Sequence, residues 1–228
     1  MRICIFSDIH GNRDALERML DEEKENVDLF IFAGDIFGYF YSQREIIDIL
    51  MSMKNLIAVK GNHERNYLSG SIDNDLLDRY GSSYKIILSD SQLEYLRQLP
   101  DYLKISIFDK QFGIFHGGPD DYLDQRVYPD TEVKDKSNFE RYEFLILGHT
   151  HYRFVKKIGR TLIINPGSLG QPRDGKGFSY CILDTQNEKC QFKSVEVDIQ
   201  KLLSQVRKLD LEREVYSYLE RKYRKVST

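Results

Sequence analysis

The sequence predicts an α/β protein. Apolar runs at 2–7 (RICIFS), 29–33 (LFIFA) and 55–59 (NLIAV) alternate with stretches of helical periodicity. This β-α-β-α-β order implies parallel strands joined by right-handed crossovers. From residue 153 onward, short apolar runs follow one another across turns, as antiparallel strands do. Of 228 residues, 41% are hydrophobic and 30% charged, a globular balance in a chain long enough to bury a core.

Each element has its own local reason. RICIFS is a short apolar run ending in polar residues, hence a strand. Asn12 is placed to cap the helix RDALERMLDEEKEN, where Ala15, Leu16, Met19 and Leu20 recur at helical spacing. LFIFA is apolar throughout, as a buried parallel strand is, and ends in Gly34-Asp35. QREIIDILMSM (43–53) is an amphipathic helix, and NLIAV is a third buried strand running into KGNHE. IDNDLLDRYG (72–81) and SDSQLEYLRQLP (89–100) read as short helices; Ser89 with Gln92 forms a capping box in the second, and Pro100 closes it. LKISIF (103–108) and FGIFH (112–116) are strands about a short turn. Residues 117–143, rich in Asp, Gly and Pro, form a long surface connection. EFLILG (143–148) is a buried strand before H-T-H. RFVKKI (153–158), TLIIN (161–165), FSYCIL (178–183) and CQFKSVEV (190–197) complete the strands. From Ile199 the chain reads as helix, with Leu202, Val206, Leu209, Tyr216, Leu219 and Tyr223 near one face. The expected organisation is a domain over 1–198 and a C-terminal helical extension over 199–228. That extension holds eight Lys or Arg against four Asp or Glu, a solvated face or, alternatively, a dimer helix.

Several classes are excluded. A net charge of −3 supplies no global basic field for nucleic acid or membrane. No run of 18 apolar residues occurs, so no spanning helix is expected. The N-terminal MRICIFSDIHGN lacks a signal-peptide apolar region. The three cysteines, Cys4, Cys181 and Cys190, have no metal-ligand spacing and fit buried thiols in a reducing cytoplasm.

Five strands end in residues able to hold a metal. They run into S-D-I-H (Asp8, His10), G-D (Asp35), G-N-H (Asn62, His63), H-G-G (His116) and G-H-T-H (His149, His151), which take all five histidines of the chain. Crevices in open α/β sheets form beyond the carboxyl ends of the strands, so these residues should converge. In an extended backbone, residues two apart point to the same side, so each of D-x-H and H-x-H can offer two ligands to one site. Seven side-chain donors exceed the need of one ion; with a shared carboxylate they suit two ions of intermediate hardness. Two divalent cations against two carboxylates leave excess positive charge, suited to hydroxide and a phosphate-type anion. The absence of thiolates argues against a structural zinc.

The ordered set D-x-H, G-D, G-N-H-E, H-G-G and G-H-T-H resembles the calcineurin-like metallophosphoesterase superfamily, from Arg2 to about Val197. HGGP followed by LIINPGSLGQPRDG (162–175) resembles its compact prokaryotic branch. The resemblance implies a four-layer α/β/β/α sandwich of two mixed β-sheets flanked by helices, with a dinuclear site at one edge. It implies that Asp8, His10 and His151 hold one metal, Asn62, His116 and His149 the other, and that Asp35 bridges them. The ions expected are manganese first, with nickel, iron or zinc as alternatives. His63 corresponds to a non-ligand histidine that protonates the leaving oxygen or stabilises the transition state. One stretch departs from the serine/threonine phosphatase branch: its G-D-x-x-D-R-G is here GDIFGYF (34–40), without the second Asp and the Arg. His63 thus lacks that branch's Asp partner, and Glu64 is the residue expected to orient it instead.

The expected chemistry is hydrolysis of a phosphomonoester or phosphodiester, of a small molecule or nucleotide. Two cations produce hydroxide near neutral pH, it attacks phosphorus in line, and His63 protonates the leaving group, an acid step of about 10²–10⁴-fold. Arg173 and Arg65 are candidate phosphate-binding residues. Asn165 and Ser168 either orient a ligand histidine or shape a turn. FGYFY (37–41) is either core or a base-stacking wall, and the 117–143 connection can lid the site. The alternatives are a phosphoprotein phosphatase, a nuclease, which would need a basic track the sequence lacks, or a silent scaffold, which should have lost a ligand or His63. Self-association into a homo-oligomer stays open.

Overall fold

The structure, a computed structural model, describes residues 1–70, 80–133 and 135–209. The elements are β1 (Arg2–Phe6), α1 (Arg13–Glu23), β2 (Leu29–Phe32), α2 (Gln43–Ser52), β3 (Leu56–Ala58), α3 (Asn62–Ser69), a 3₁₀ turn (Gly81–Tyr84) and α4 (Asp90–Gln98). They continue as β4 (Tyr102–Ile107), β5 (Lys110–Phe115), β6 (Phe144–Ile146), β7 (Phe154–Ile158), β8 (Thr161–Asn165), β9 (Ser179–Asp184), β10 (Lys189–Ser194) and α5 (Ile199–Leu209). Asn12 caps α1 by accepting from the Ala15 N–H, and Ser89 and Gln92 exchange the two bonds of a capping box at α4. The helix expected over 72–81 falls mainly on residues outside those described, as does the chain beyond Leu209. The sequence reading had no helix where α3 lies; Glu64, three residues after Gly61, accepts the Gly61 N–H and starts it.

The strands form two mixed five-stranded sheets, β10-β9-β1-β2-β3 and β4-β5-β6-β8-β7. In the first, β1, β2 and β3 are parallel, β9 pairs antiparallel with β1, and β10 pairs antiparallel with β9. In the second, β5, β6 and β8 are parallel, with β4 and β7 antiparallel at the edges. Alternate side chains explain the burial. Ile3 and Ile5 of β1 meet Phe112, Ile114, Phe144 and Ile146 between the sheets. Cys4 and Phe6 face the other way, onto Ala15, Leu16, Met19, Ile46, Ile47 and Leu50 of α1 and α2. Leu202, Leu203 and Val206 of α5 join that helical core, whereas Leu209 is exposed. The outer face of the second sheet (Phe115, Leu145, Leu147, Ile163) is covered by Val127, Phe139 and Tyr142 of the 117–143 connection, which supplies the fourth layer with a turn at 137–141. That connection is therefore part of the core and not only a surface loop.

Strands β1, β2 and β3, and in the second sheet β5 and β6, send their carboxyl ends to the same edge. The junction is tied by backbone bonds: Asp8 N–H to Gly34 O (2.9 Å), Gly148 N–H to His116 O (2.8 Å) and Gly170 N–H to Asp8 O (2.8 Å).

Candidate metal centre

Asp8, His10, Asp35, Asn62, His116, His149 and His151 all meet at that edge. Asp8, His10, Asp35, His116 and His151 are buried, and Asn62 and His149 are half-buried. The backbone that presents them is not extended. Asp8 (φ 53°), His10 (48°), Asp35 (72°), His149 (65°) and His151 (60°) are all left-handed. Such residues cost about 1–3 kcal/mol each and persist where the surroundings over-determine them. The extended backbone expected for D-x-H and H-x-H is therefore corrected. The chain curls, so Asp8 and His10 come together while His149 and His151 diverge.

Two groups result. In the first, His151 Nε2 lies 3.2 Å from Asp8 Oδ1 and 3.1 Å from His10 Nε2. In the second, His116 Nε2 lies 3.1 Å from Asp35 Oδ2 and 3.1 Å from Asn62 Oδ1, which is also 3.1 Å from His149 Nδ1. Asp35 Oδ2 belongs to both, since it is 3.8 Å from His10 Nε2. His10, Asp35 and His63 make a third trio, with His63 Nε2 3.8 Å from the same oxygen.

Local hydrogen bonds aim each donor. Backbone carbonyls accept from Nδ1 of His10 (Phe37 O), His116 (Ala33 O, 2.7 Å) and His151 (Gln171 O, 2.6 Å). A carbonyl only accepts, so Nδ1 carries the proton and a neutral ring turns a bare Nε2 lone pair inward. Ser7 Oγ (2.6 Å) and the His149 N–H (3.2 Å) donate to Asp8 Oδ2, which leaves Oδ1 facing the group. The His63 N–H donates to Asp35 Oδ1 (3.0 Å) and so frees Oδ2. Asp8 Oδ1 is buried and accepts no hydrogen bond from any described residue. Two lone-pair nitrogens 3.1 Å apart beside a bare carboxylate oxygen repel one another unless a cation lies among them. The donor set, imidazole with carboxylate and one amide oxygen, fits divalent ions of intermediate hardness.

The charge states agree. Burial opposes ionisation of Asp8, but His151 in its protonated form outweighs it and holds the acid down to about 2. Burial and the neighbouring His151 and His63 rings keep His10 neutral. Burial lowers His149 to about 4, with His116 adding to it. His116 is the exception: burial opposes protonation, yet the Asp35 carboxylate raises it to about 10.

A family profile for the calcineurin-like phosphoesterase superfamily domain matches residues 1–188. The chain belongs to this superfamily. It is thus a metal-dependent phosphoesterase by family. The phosphoesterase is 31% identical over 226 residues to the uncharacterized protein MJ0912 of Methanocaldococcus jannaschii, spanning 90% of this chain and 91% of that one. It is 29% identical to Phosphodiesterase MJ0936 of the same organism, over 83% of this chain and 96% of the relative. A solved metallophosphoesterase from Sphaerobacter thermophilus superposes with a TM-score of 0.78 at 27% identity, covering 97% of this chain and 99% of its own.

Other residues of the phosphoesterase take places the sequence did not show. The Glu64 carboxylate does not orient the His63 ring, whose Nδ1 is bonded by Tyr84. That carboxylate accepts from the N–H groups of Gly61, Asp35, Ile36 and Phe37, so it staples the β2 and β3 exits together. Burial and the Asp35 carboxylate push its pKa up to about 7 against the pull of those donors. Glu64→Ala should cost about 3 kcal/mol or more, because each buried N–H left unpaired costs about 1–3 kcal/mol. A urea midpoint and slope equal to wild type would contradict this. Arg65 forms a two-pronged ion pair with Asp124 of the 117–143 connection. Arg173 donates to Tyr39 Oη (2.9 Å) and Gln171 Oε1 (3.3 Å), beside His151. Phe37, Tyr39 and Phe40 are core and Tyr41 packs against it, with Phe37 stacked on Tyr67, so FGYFY is core; the Tyr39 ring also meets His10 edge-on at 4.9 Å. Asn165 donates to Gly148 O and Ser168 to Asp8 O; both shape the loops that carry ligand candidates and neither touches an imidazole. Arg126, missed by sequence reasoning, reaches His149 Nε2 at 3.4 Å from the connection. The described residues include no helix long and apolar enough to cross a membrane.

Proposed function

We propose that this phosphoesterase hydrolyses small phosphate esters with two divalent cations, manganese first, phosphodiesters of small molecules or nucleotides being the leading class. Asp8, His10, Asp35 and His151 would hold one ion, and Asp35, Asn62, His116 and His149 the other. The observation that carries this reading is the inward-facing lone-pair set: His10 and His151 Nε2 at 3.1 Å, the bare Asp8 Oδ1, and Asp35 Oδ2 common to both groups. Bound there, the cations supply Lewis acidity toward phosphoryl oxygens and acidify water. The chain's own residues do the rest. His63 presents Nε2 beside Asp35 and gives a proton to the leaving oxygen. Arg173, braced by Tyr39 and Gln171, holds a phosphate oxygen. The ranking of diesters rests on the relative named a phosphodiesterase, which aligns over 96% of its own length. The three free thiols support a reducing, cytoplasmic setting.

The test is metal analysis of the purified protein, followed by hydrolysis of p-nitrophenyl phosphate and bis(p-nitrophenyl) phosphate with added Mn²⁺, Ni²⁺ or Zn²⁺. Two ions per chain and faster turnover of the bis ester are expected. A single ion at saturation would overturn the two-metal reading, and preference for the monoester would overturn the substrate ranking.

A further inference from the structure

We propose that Tyr84 is a positioning residue for His63: its hydroxyl, hydrogen-bonded to Nδ1, decides which edge of the imidazole faces the reacting phosphate. The inference rests on the proposed role of His63 and names the residue that makes this role available.

Packing alone cannot orient this ring. His63 sits between the edge of Tyr80 (centroids 4.7 Å, 74°) and that of His10 (4.9 Å, 72°). Gly38 closes a further side so tightly that a methyl group there would lie 2.9 Å from His63 Cε1 and Nδ1. These contacts fix where the ring lies. They do not fix its sense, because a half-turn about χ2 exchanges nitrogen for carbon in the same volume. The Tyr84 hydroxyl bonds Nδ1 and breaks that degeneracy. Nε2 is thereby placed toward the metal groups, 3.8 Å from Asp35 Oδ2.

Tyr84 is itself buried. It ends the Gly81–Tyr84 turn, is 2% exposed, and packs near Phe37 with ring centroids 6.1 Å apart. Burial, followed by the carboxylates of Asp35 and Glu64, pushes the phenol's pKa up, so it stays a neutral hydroxyl. A hydroxyl both donates and accepts. In the imidazolium the Nδ1–H donates to the hydroxyl oxygen, and that bond persists once the Nε2 proton has gone to the leaving oxygen and the ring is neutral. The partner of Nδ1 is thus a hydroxyl, a group that adds no charge to the ring.

The test uses Tyr84→Phe, which removes one oxygen and keeps the ring. The ¹⁵N signals of the histidine rings in the metal-free protein are expected to move for His63 and stay for the other four; unmoved His63 signals would overturn the proposal. In the manganese-loaded enzyme, kcat should fall about 10–100-fold with KM and metal content unchanged, as for loss of an orienting partner. The loss should steepen as the leaving phenol becomes more basic across a series of aryl phosphates, and should vanish in a His63→Ala background. A loss that is uniform across leaving groups, or that adds in full to His63→Ala, would overturn it. If the wild-type enzyme hydrolyses no ester, the proposed function fails, and the imidazole signals still decide whether Tyr84 holds His63.

Discussion

Asp35→Asn should strip both metal ions and the hydrolytic activity together. Asp35 Oδ2 is the one atom common to both groups, 3.1 Å from His116 Nε2 and 3.8 Å from His10 Nε2. The other oxygen is committed, because it accepts the His63 N–H at 3.0 Å. An asparagine of the same shape keeps that bond only by using its oxygen for it. Its NH₂ then occupies the position of Oδ2 and points two donors at imidazole lone pairs, where a cation is proposed to sit. The substitution also halves the carboxylate charge available to the proposed ions, leaving Asp8 alone. Turnover should fall by at least about 10³-fold, since the acidified water and the electrostatic hold on phosphate are lost together. Metal content after desalting, measured by elemental analysis, checks this directly. Two ions retained per chain would refute the shared role of Asp35.

How much of this was legible in the sequence depended on whether side-chain identity carried the information. The β-α-β-α-β half was plain because β1 and β2 are buried on both faces, so Ile3 and Ile5 on one side and Cys4 and Phe6 on the other left no polar position in the run. The donor set was plain for a different reason. The five histidines of the chain all fall in motifs that follow apolar runs and occur nowhere else. Helix α3 was hidden because NHERNYLS has little apolar periodicity and buries only His63 and Glu64. The groups that aim the donors were hidden more deeply. The carbonyls of Phe37, Ala33 and Gln171 are backbone atoms, which any residue type offers. Glu64 was singled out but given the wrong partner, because its four hydrogen bonds go to N–H groups that carry no sequence identity. The left-handed turns at Asp8, His10, Asp35, His149 and His151 ran against the extended geometry the motifs suggest. Tyr84 stands 21 residues from His63 in a stretch with no distinguishing pattern, and only the folded chain brings them together.

His63→Ala should separate metal binding from turnover, which Asp35→Asn cannot do. The side chain of His63 meets the donor set at the His10 ring, edge-on with centroids 4.9 Å apart, and at Asp35 Oδ2, where 3.8 Å from Nε2 is beyond hydrogen-bond reach. Its firm tie to Asp35 runs through its backbone N–H, which alanine keeps. The bonds that aim Asp8, His10, His116 and His151 do not involve it at all. Both ions should therefore stay, and KM should hold, while kcat drops about 10²–10⁴-fold, the range for loss of a general acid. The deficit should shrink for p-nitrophenyl esters, whose leaving group departs without help, and grow for alkyl esters, whose alkoxide needs the proton. Elemental analysis alongside kinetics on both ester types distinguishes the roles open to this ring. Loss of one ion in step with activity would make His63 a ligand in the trio with His10 and Asp35. Retained metal with a deficit that rises with leaving-group basicity would make it the acid.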